Sequence, residues 1–289
     1  MTPIAITGST GRLGGKVAHL LAAAGVPQRL IVRDPSRAPH LPNADVAVAA
    51  YADGVAVQSA LQGIDTVLMV SASEAPNRVE QHRSFVDAAG RAGVRHLVYL
   101  SFVGAAPNAT FTLARDHWST EEHILASGMT YTFLRDNLYA DFFEFMVGED
   151  GVLAGPAGDG RVAAVAQVDI AEVAATVLQD QARYAGCRLD LTGPESLNLD
   201  QVAAVITEVT GRPVRYQRES LAEAYASRQG YGAPGWQVDA WVSTYTGIAS
   251  GELAYVSPDI PSVLGRPATP LAQVVAGRVR PGVDKPFSR

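Results

Sequence analysis

Lysine, cysteine and long apolar runs are scarce in this chain, and each scarcity removes a class of chemistry. Cys187 is the only cysteine among 289 residues, so an intramolecular disulfide is impossible and a cysteine-based zinc site is not expected. No His, Asp and Glu cluster has metal-ligand spacing, and no metal is expected. His19 and His123 read as helix positions, and His40, His82 and His96 as loop or helix-surface residues. No apolar stretch reaches the ~18 residues of a membrane span. No basic signal region precedes the strand-like segment after Met1-Thr2-Pro3, and the expectation is a soluble cytoplasmic protein without a membrane partner. A basic surplus is missing as well. The 23 basic residues face 29 acidic ones, a net charge of −6. That balance argues against nucleic acid as a partner, which would require a basic face to displace phosphate counterions. Lysine is the most telling shortage: Lys16 and Lys285 are the only two, and arginine carries nearly all the positive charge.

Hydrophobic residues make up 47% of the chain and charged residues 18%, enough for a substantial core and too apolar for a disordered chain. The run Pro-Ile-Ala-Ile-Thr at 3–7 stops at Gly8. After Gly11 and Gly14, the residues Val17, Leu20, Leu21 and Ala24 recur at helical spacing up to Gly25. This order predicts strand, tight glycine turn, helix. Arg29-Leu30-Ile31-Val32 follows as a strand, closed by the Asp34-Pro35 turn signal. Further strand-like runs at 45–49, 65–70, 95–100 and 130–135 alternate with helical patterns near 54–62, 77–92 and 113–126. Strands as uniformly apolar as Val67-Leu68-Met69-Val70 and Leu97-Val98-Tyr99-Leu100 are expected to be buried on both faces. The predicted fold class is therefore α/β, a Rossmann-type doubly wound parallel sheet with helices on both faces.

Beyond residue 150 the texture changes. Gly151, Gly155, Gly158 and Gly160 crowd one loop, followed by a helical pattern at 169–180, a strand at 187–191 and a helix from Asp200 to Gly211. Residues 1–150 are expected to form the nucleotide-binding domain. Residues 151–289 are expected to form a smaller, mostly helical substrate lobe, with some segments returning to the Rossmann core. The tail after about 280 is expected to be loosely held.

Gly8-Ser9-Thr10-Gly11-Arg12-Leu13-Gly14 has the spacing G-x-x-G-x-x-G. The first glycine lets the chain turn off the strand, the second lets backbone N–H groups approach a pyrophosphate, and the third lets helix and sheet pack closely. The helix N-terminus then offers donors and partial positive charge to the phosphates. The second strand ends in Val32-Arg33-Asp34. Arg33 stands where a guanidinium would pair with a 2′-phosphate, and Arg12 would clamp it from the other side. The expected cofactor is NADPH rather than NADH, with no flavin and no metal.

A short-chain dehydrogenase of the usual kind protonates its substrate with a tyrosine, assisted by a lysine four residues later. Here Arg12 stands four before Lys16 and Pro281 four before Lys285, so that pair does not exist. Ser101 is expected just after the fifth strand. His117 and Glu121, four apart, share a helix face, and Glu121 is placed to orient His117 or raise its pKa into a proton-donating range. An ordinary surface ion pair is the other reading of that spacing.

With Ile31-Val32-Arg33-Asp34-Pro35, Leu68-Met69-Val70-Ser71-Ala72-Ser73-Glu74, Val98-Tyr99-Leu100-Ser101, Thr130-Tyr131-Thr132-Phe133-Leu134-Arg135-Asp136-Asn137-Leu138-Tyr139 and Leu191-Thr192-Gly193-Pro194-Glu195, the chain resembles the NmrA-like, atypical short-chain dehydrogenases. Within that group it is most similar to bacterial NAD(P)H:quinone reductases and triphenylmethane dye reductases. The resemblance implies that Ser71, Ala72 and Ser73 line the ribose and nicotinamide side of the cofactor. It implies that Asn137, Leu138 and Tyr139 close over nicotinamide and substrate, and that His117 faces the active site. Tyr225, Tyr231 and Trp236 would supply the substrate wall. One departure stands out: relatives often carry Gly-Asp after the third strand, where this chain has Ala49-Ala50-Tyr51, and Asp53 reads as a helix N-cap.

Hydride transfer requires an electrophile held against the nicotinamide with water excluded. Without the Tyr/Lys pair, quinones, dyes and enones suit the site better than ketones, which would produce a basic alkoxide. The expected function is an NADPH-dependent reductase of a quinone-like or other aromatic small molecule, with His117, Ser101 and Asn137 as the catalytic set. The alternative is an NADP(H)-binding redox sensor without turnover. An isomerase using the cofactor internally is disfavoured by the absent Tyr/Lys pair. Oligomeric state stays open, a homodimer being one option.

Overall fold

The structure, a computed structural model, describes residues 2–278. The tail expected to be loosely held, Lys285 included, lies outside the described residues. In chain order the first elements are β1 (Ile4–Thr7), α1 (Arg12–Ala23), β2 (Gln28–Val32), β3 (Ala44–Val48), α2 (Gly54–Ala60), β4 (Thr66–Val70), α3 (Arg78–Ala92), β5 (His96–Phe102), α4 (Thr112–Ala126) and β6 (Thr130–Asp136). There follow α5 (Phe143–Met146), β7 (Val152–Gly155), β8 (Arg161–Val162), α6 (Gln167–Gln179), β9 (Arg188–Leu191), β10 (Leu197–Asn198) and α7 (Leu199–Thr210). The last are β11 (Arg215–Arg218), α8 (Leu221–Arg228), α9 (Gly235–Ala249), α10 (Asp259–Leu264) and α11 (Leu271–Arg278).

The chain forms two compact units, and neither is continuous in sequence. Among the described residues, the first comprises 2–136, Gln167–Leu191 and Pro258–Arg266; the second takes Asn137–Ala166, Thr192–Ser257 and 267–278.

The first unit is built on a seven-stranded sheet of order β3-β2-β1-β4-β5-β6-β9, parallel throughout. Successive residues of a strand face opposite sides. Val67, Met69, Leu97, Tyr99 and Phe133 accordingly join Phe85 and Val86 of α3 and Ile124 of α4 in one core cluster. Leu68 and Val98, equally buried, alternate to the other side, where α1 and α6 pack on each other. Each large side chain so enclosed contributes about 1.5–3 kcal/mol relative to exposure. Ile4 pairs with Gln28 on one flank and Thr66 on the other, so the strand order reverses between β1 and β4. A doubly wound Rossmann sheet holds its ligand at such a reversal, outside the carboxyl ends of the strands.

In the second unit β7 pairs with β11 in parallel and β8 with β10 antiparallel. Helix α7 starts in a capping box, Asn198 with Gln201, and stops at the left-handed Gly211; α8 starts in another, Ser220 with Glu223. The Tyr216 hydroxyl donates to the Gly155 carbonyl and accepts from the Ala157 N–H. Gly155 has to be glycine, because a Cβ there would meet the Tyr245 ring at 2.2 Å.

Candidate active site

The glycine turn leaves β1 through Gly8, whose φ of +66° suits glycine and whose added Cβ would lie 3.0 Å from Val70 Cβ. The ends of β1 and β4 are thus immediate neighbours. At Gly14 an added Cβ would stand 2.4 Å from the Gly8 carbonyl oxygen, so α1 seats against the turn only without a side chain there. Gly11 is the N-cap of α1, extended and without a side-chain cap, and the first turn carries no acidic residue. A helix start of this kind is suited to an anion.

A cavity of about 580 Å³ opens beside this turn, walled by Arg12, Lys16 and His19 of α1 and by Arg37. Lys16 and His19 follow Arg12 at helical spacing, a signal readable in the sequence, whereas Arg37 reaches the cavity from a separate turn that no spacing pattern points to. Arg33 is exposed just beyond β2 and is not among the cavity's lining residues. Asp34 turns its carboxylate onto its own chain, accepting from the backbone N–H (3.0 Å) and hydroxyl (2.7 Å) of Ser36. Those bonds hold its pKa below the ordinary value.

Asp53 caps α2 by accepting from the Ala56 N–H. Tyr51, past β3, reaches back to the sheet. Its hydroxyl lies 2.5 Å from Thr7 Oγ1 and 2.6 Å from the Val70 carbonyl, tying the ends of β1 and β4, and burial pushes its pKa up.

Past β4, Ser71 and Ala72 are half-buried and Ser73 exposed. The Ala72 N–H donates to His82 Nε2 at 2.8 Å, and the Ala72 carbonyl accepts from Arg78 Nε at 2.9 Å. Since His82 Nε2 accepts, its proton sits on Nδ1, 2.9 Å from Thr120 Oγ1. The Arg78 fork also donates to Asp116 Oδ2 at 3.3 Å and reaches His117 Nε2 at 3.0 Å. His117 Nδ1 stands 3.0 Å from the Tyr99 hydroxyl. Burial, reinforced by the Arg78 charge, lowers His82 to about 3. Burial, then Arg78 and His82, holds His117 well below the ordinary imidazole value. Burial raises the Asp116 carboxyl.

This geometry corrects four readings. His117 is neither an imidazolium nor a partner of Glu121: both ring nitrogens are engaged by other residues, and a buried cation beside Arg78 is disfavoured. Glu121, only 1% exposed, accepts instead from Arg135 Nη2 at 2.5 Å and Nε at 2.9 Å and from Ser101 Oγ at 2.5 Å. The shared helix face of His117 and Glu121 lies against the sheet, where nearer partners claim each residue. Ser101 lies inside β5 rather than after it, fully buried. His82 and His96 are core rather than surface residues, His96 bonding Thr132 Oγ1 at 2.8 Å. Arg78 and His82 lie in no motif by which the sequence would single them out; their meeting near Tyr99 and His117 is a product of chain folding.

Asn137, Leu138 and Tyr139 open the second unit. The Asn137 amide donates to the Leu253 carbonyl at 3.0 Å and accepts from the Leu138 N–H at 2.7 Å, while the Tyr139 ring stands edge-on to Phe142. In the same unit the Tyr225 hydroxyl bonds Asp239, Tyr231 is 74% exposed and Trp236 is half-buried. Among the described residues no three His, Cys, Asp or Glu side chains gather where they could hold a metal ion. No described helix is long and apolar enough to cross a membrane.

A glycine turn at the strand reversal, with a bare helix N-terminus behind it, defines the class of Rossmann dinucleotide-binding proteins. Residues 2–229 match the NmrA-like family, and the chain belongs to that family. It is similar to the NADPH-dependent quinone oxidoreductase of Escherichia coli solved with NADPH, at 35% identity and a TM-score of 0.88 over 95% of this chain and 99% of that one. The Citrobacter sp. triphenylmethane reductase solved with NADP(H) superposes at a TM-score of 0.85 with 31% identity, over 96% and 100% of the two chains. An NAD(P)H azoreductase of Xenophilus azovorans is 31% identical over 93% of this chain and 96% of its own.

Proposed function

We propose that the protein is an NADPH-dependent reductase of quinones, dyes or similarly conjugated aromatic electrophiles. The observation that carries the reading is the cradle at Gly8–Gly14. Helix α1 seats against the turn only because position 14 is glycine, it starts without a side-chain cap, and its flank is basic. The relatives' reductase activities support the same reading. The N–H groups of the first turn of α1 would hold the pyrophosphate. Arg12 and Arg33, with Arg37 added from the cavity wall, would hold the 2′-phosphate. When bound, the nicotinamide supplies a hydride.

The chain's own contribution to chemistry is positioning rather than acid catalysis. His117, neutral and held by Arg78 and Tyr99, acts behind the site by steadying Arg78. Ser101, bonded to Glu121, helps hold the ends of β5 and β6. Hydride addition to a quinone leaves a weakly basic phenolate that solvent can protonate, and addition to a cationic dye leaves a neutral product that needs no proton. Asn137, Leu138 and Tyr139, with Tyr225, Tyr231 and Trp236, are proposed for the substrate side on resemblance alone.

The test is to mix purified protein with NADPH and a panel of quinones, azo dyes and triphenylmethane dyes, following loss of the reduced-cofactor absorbance. Turnover with at least one acceptor is expected. Tight NADPH binding with no acceptor reduced would replace this reading with that of a redox sensor.

A further inference from the structure

The strand order places the reversal between β1 and β4, and in such sheets the ligand lies outside the carboxyl ends of the strands at that point. Two segments leave those ends side by side: the glycine turn after Thr7 and Ser71-Ala72-Ser73 after Val70. The first takes the phosphates. The second has a feature that the phosphate site does not explain.

A strand-end loop ordinarily leaves its peptide groups to water. Here both polar groups of Ala72 are taken by side chains of α3 that are themselves buried, Arg78 at 4% exposure and His82 at 0%. Burying a guanidinium is expensive unless every branch is partnered. Asp116 and His117 of α4 supply the remaining partners, as Thr120 of the same helix does for His82. Two helices therefore converge on one residue of a loop.

Peptide planarity determines what this grip achieves. In a trans peptide the carbonyl and the N–H point in opposite directions, and no cis peptide occurs among the described residues. With the Ala72 N–H turned to His82, the Ser71 carbonyl in the same plane is turned away from it. With the Ala72 carbonyl turned to Arg78, the Ser73 N–H is turned away in the same manner. One acceptor and one donor are thereby aimed away from α3 in fixed orientation.

We propose that Arg78 and His82 are positioning residues: they lock the two peptide planes flanking Ala72 so that the Ser71 carbonyl and the Ser73 N–H are presented to the nicotinamide riboside half of the dinucleotide. The inference rests on the NADPH reading above and adds to it the residues that order the redox end of the site. Preorganised backbone groups of this kind bind without the loss of loop entropy that a free segment would suffer.

The test compares binding of NADPH with binding of adenosine 2′,5′-bisphosphate, which carries the adenylate half and lacks the nicotinamide riboside. His82→Asn keeps a neutral side chain able to reach Thr120 but falls short of Ala72; His82→Gln reaches Ala72 and gives up Thr120. Arg78→Lys keeps the charge and loses the fork. His82→Asn and Arg78→Lys are expected to weaken NADPH by about tenfold or more, the scale of one lost hydrogen-bonded group. Adenosine 2′,5′-bisphosphate should bind them as it binds the parent protein, and His82→Gln should recover most of the NADPH affinity. Unchanged NADPH affinity in both weakened variants, or equal loss of both ligands, would overturn the proposal while leaving the reductase reading intact. Failure of the parent protein to bind NADPH would overturn both.

Discussion

At the residue scale the site is governed by which side chains are charged where they stand. Arg37 lies on the cavity wall and Arg33 just beyond β2, and both are proposed to hold the 2′-phosphate. A hydrogen bond to a charged group contributes about 1.5–3 kcal/mol. Arg33→Ala and Arg37→Ala are therefore each expected to weaken NADPH at least tenfold and to leave NADH nearly unaffected, as measured by fluorescence titration. Equal losses for the two cofactors would show that the phosphate is held elsewhere. The buried histidines carry a second expectation. Above pH ~6.5 they are neutral in folded and unfolded chains alike. Below it the unfolded chain takes up protons that the folded chain refuses, at His82 down to about 3. Burial lowers His96 and His117 in the same direction. Stability should thus fall as pH drops from ~6.5 toward 3, by on the order of a few kcal/mol for His82 alone. Urea melts across that range should show a shallower slope for His82→Gln; an identical slope would mean that the ring is protonated in the folded protein.

At the scale of elements, the turn between β1 and α1 is the most constrained piece of the molecule. A methyl group at position 14 would lie 2.4 Å from the Gly8 carbonyl oxygen and 2.9 Å from that of Thr7, both backbone atoms that cannot rotate aside. Gly14→Ala should cost about 1–3 kcal/mol of stability, as overpacking does, and should abolish NADPH binding by tilting the helix start. A variant that binds NADPH normally would show that α1 can shift without disturbing its first-turn donors. This element was legible from spacing, because the turn needs glycine at fixed positions. The α3 and α4 faces were not. Helical periodicity set His117 and Glu121 on one face, yet said nothing of Arg78 and Arg135, which arrive from other elements and determine the partners of both.

At the scale of the whole molecule, the first unit is assembled from three separated stretches. Helix α6 packs on α1, and β9 pairs along β6, Phe133 opposite Arg188. A fragment ending at Asp136 would leave the α1 side of the sheet uncovered and β6 as an open edge. It is expected to lack a cooperative thermal transition and to bind a hydrophobic dye, whereas the complete chain should melt sharply. A sharp transition in the fragment would mean that residues 167–191 only decorate a core already complete.

The sequence by itself determined the α/β alternation, the parallel sheet and the glycine turn, because apolar periodicity and glycine spacing are local properties of the chain. It also excluded the Tyr-x-x-x-Lys pair by simple lack of lysine. Only the tertiary structure decided that His117 is neutral, that Ser101 and Glu121 serve Arg135, and that Arg78 and His82 grip Ala72. Protonation and partnership depend on burial and on which charges approach from strands and helices far away in sequence, and neither is encoded in spacing along one element.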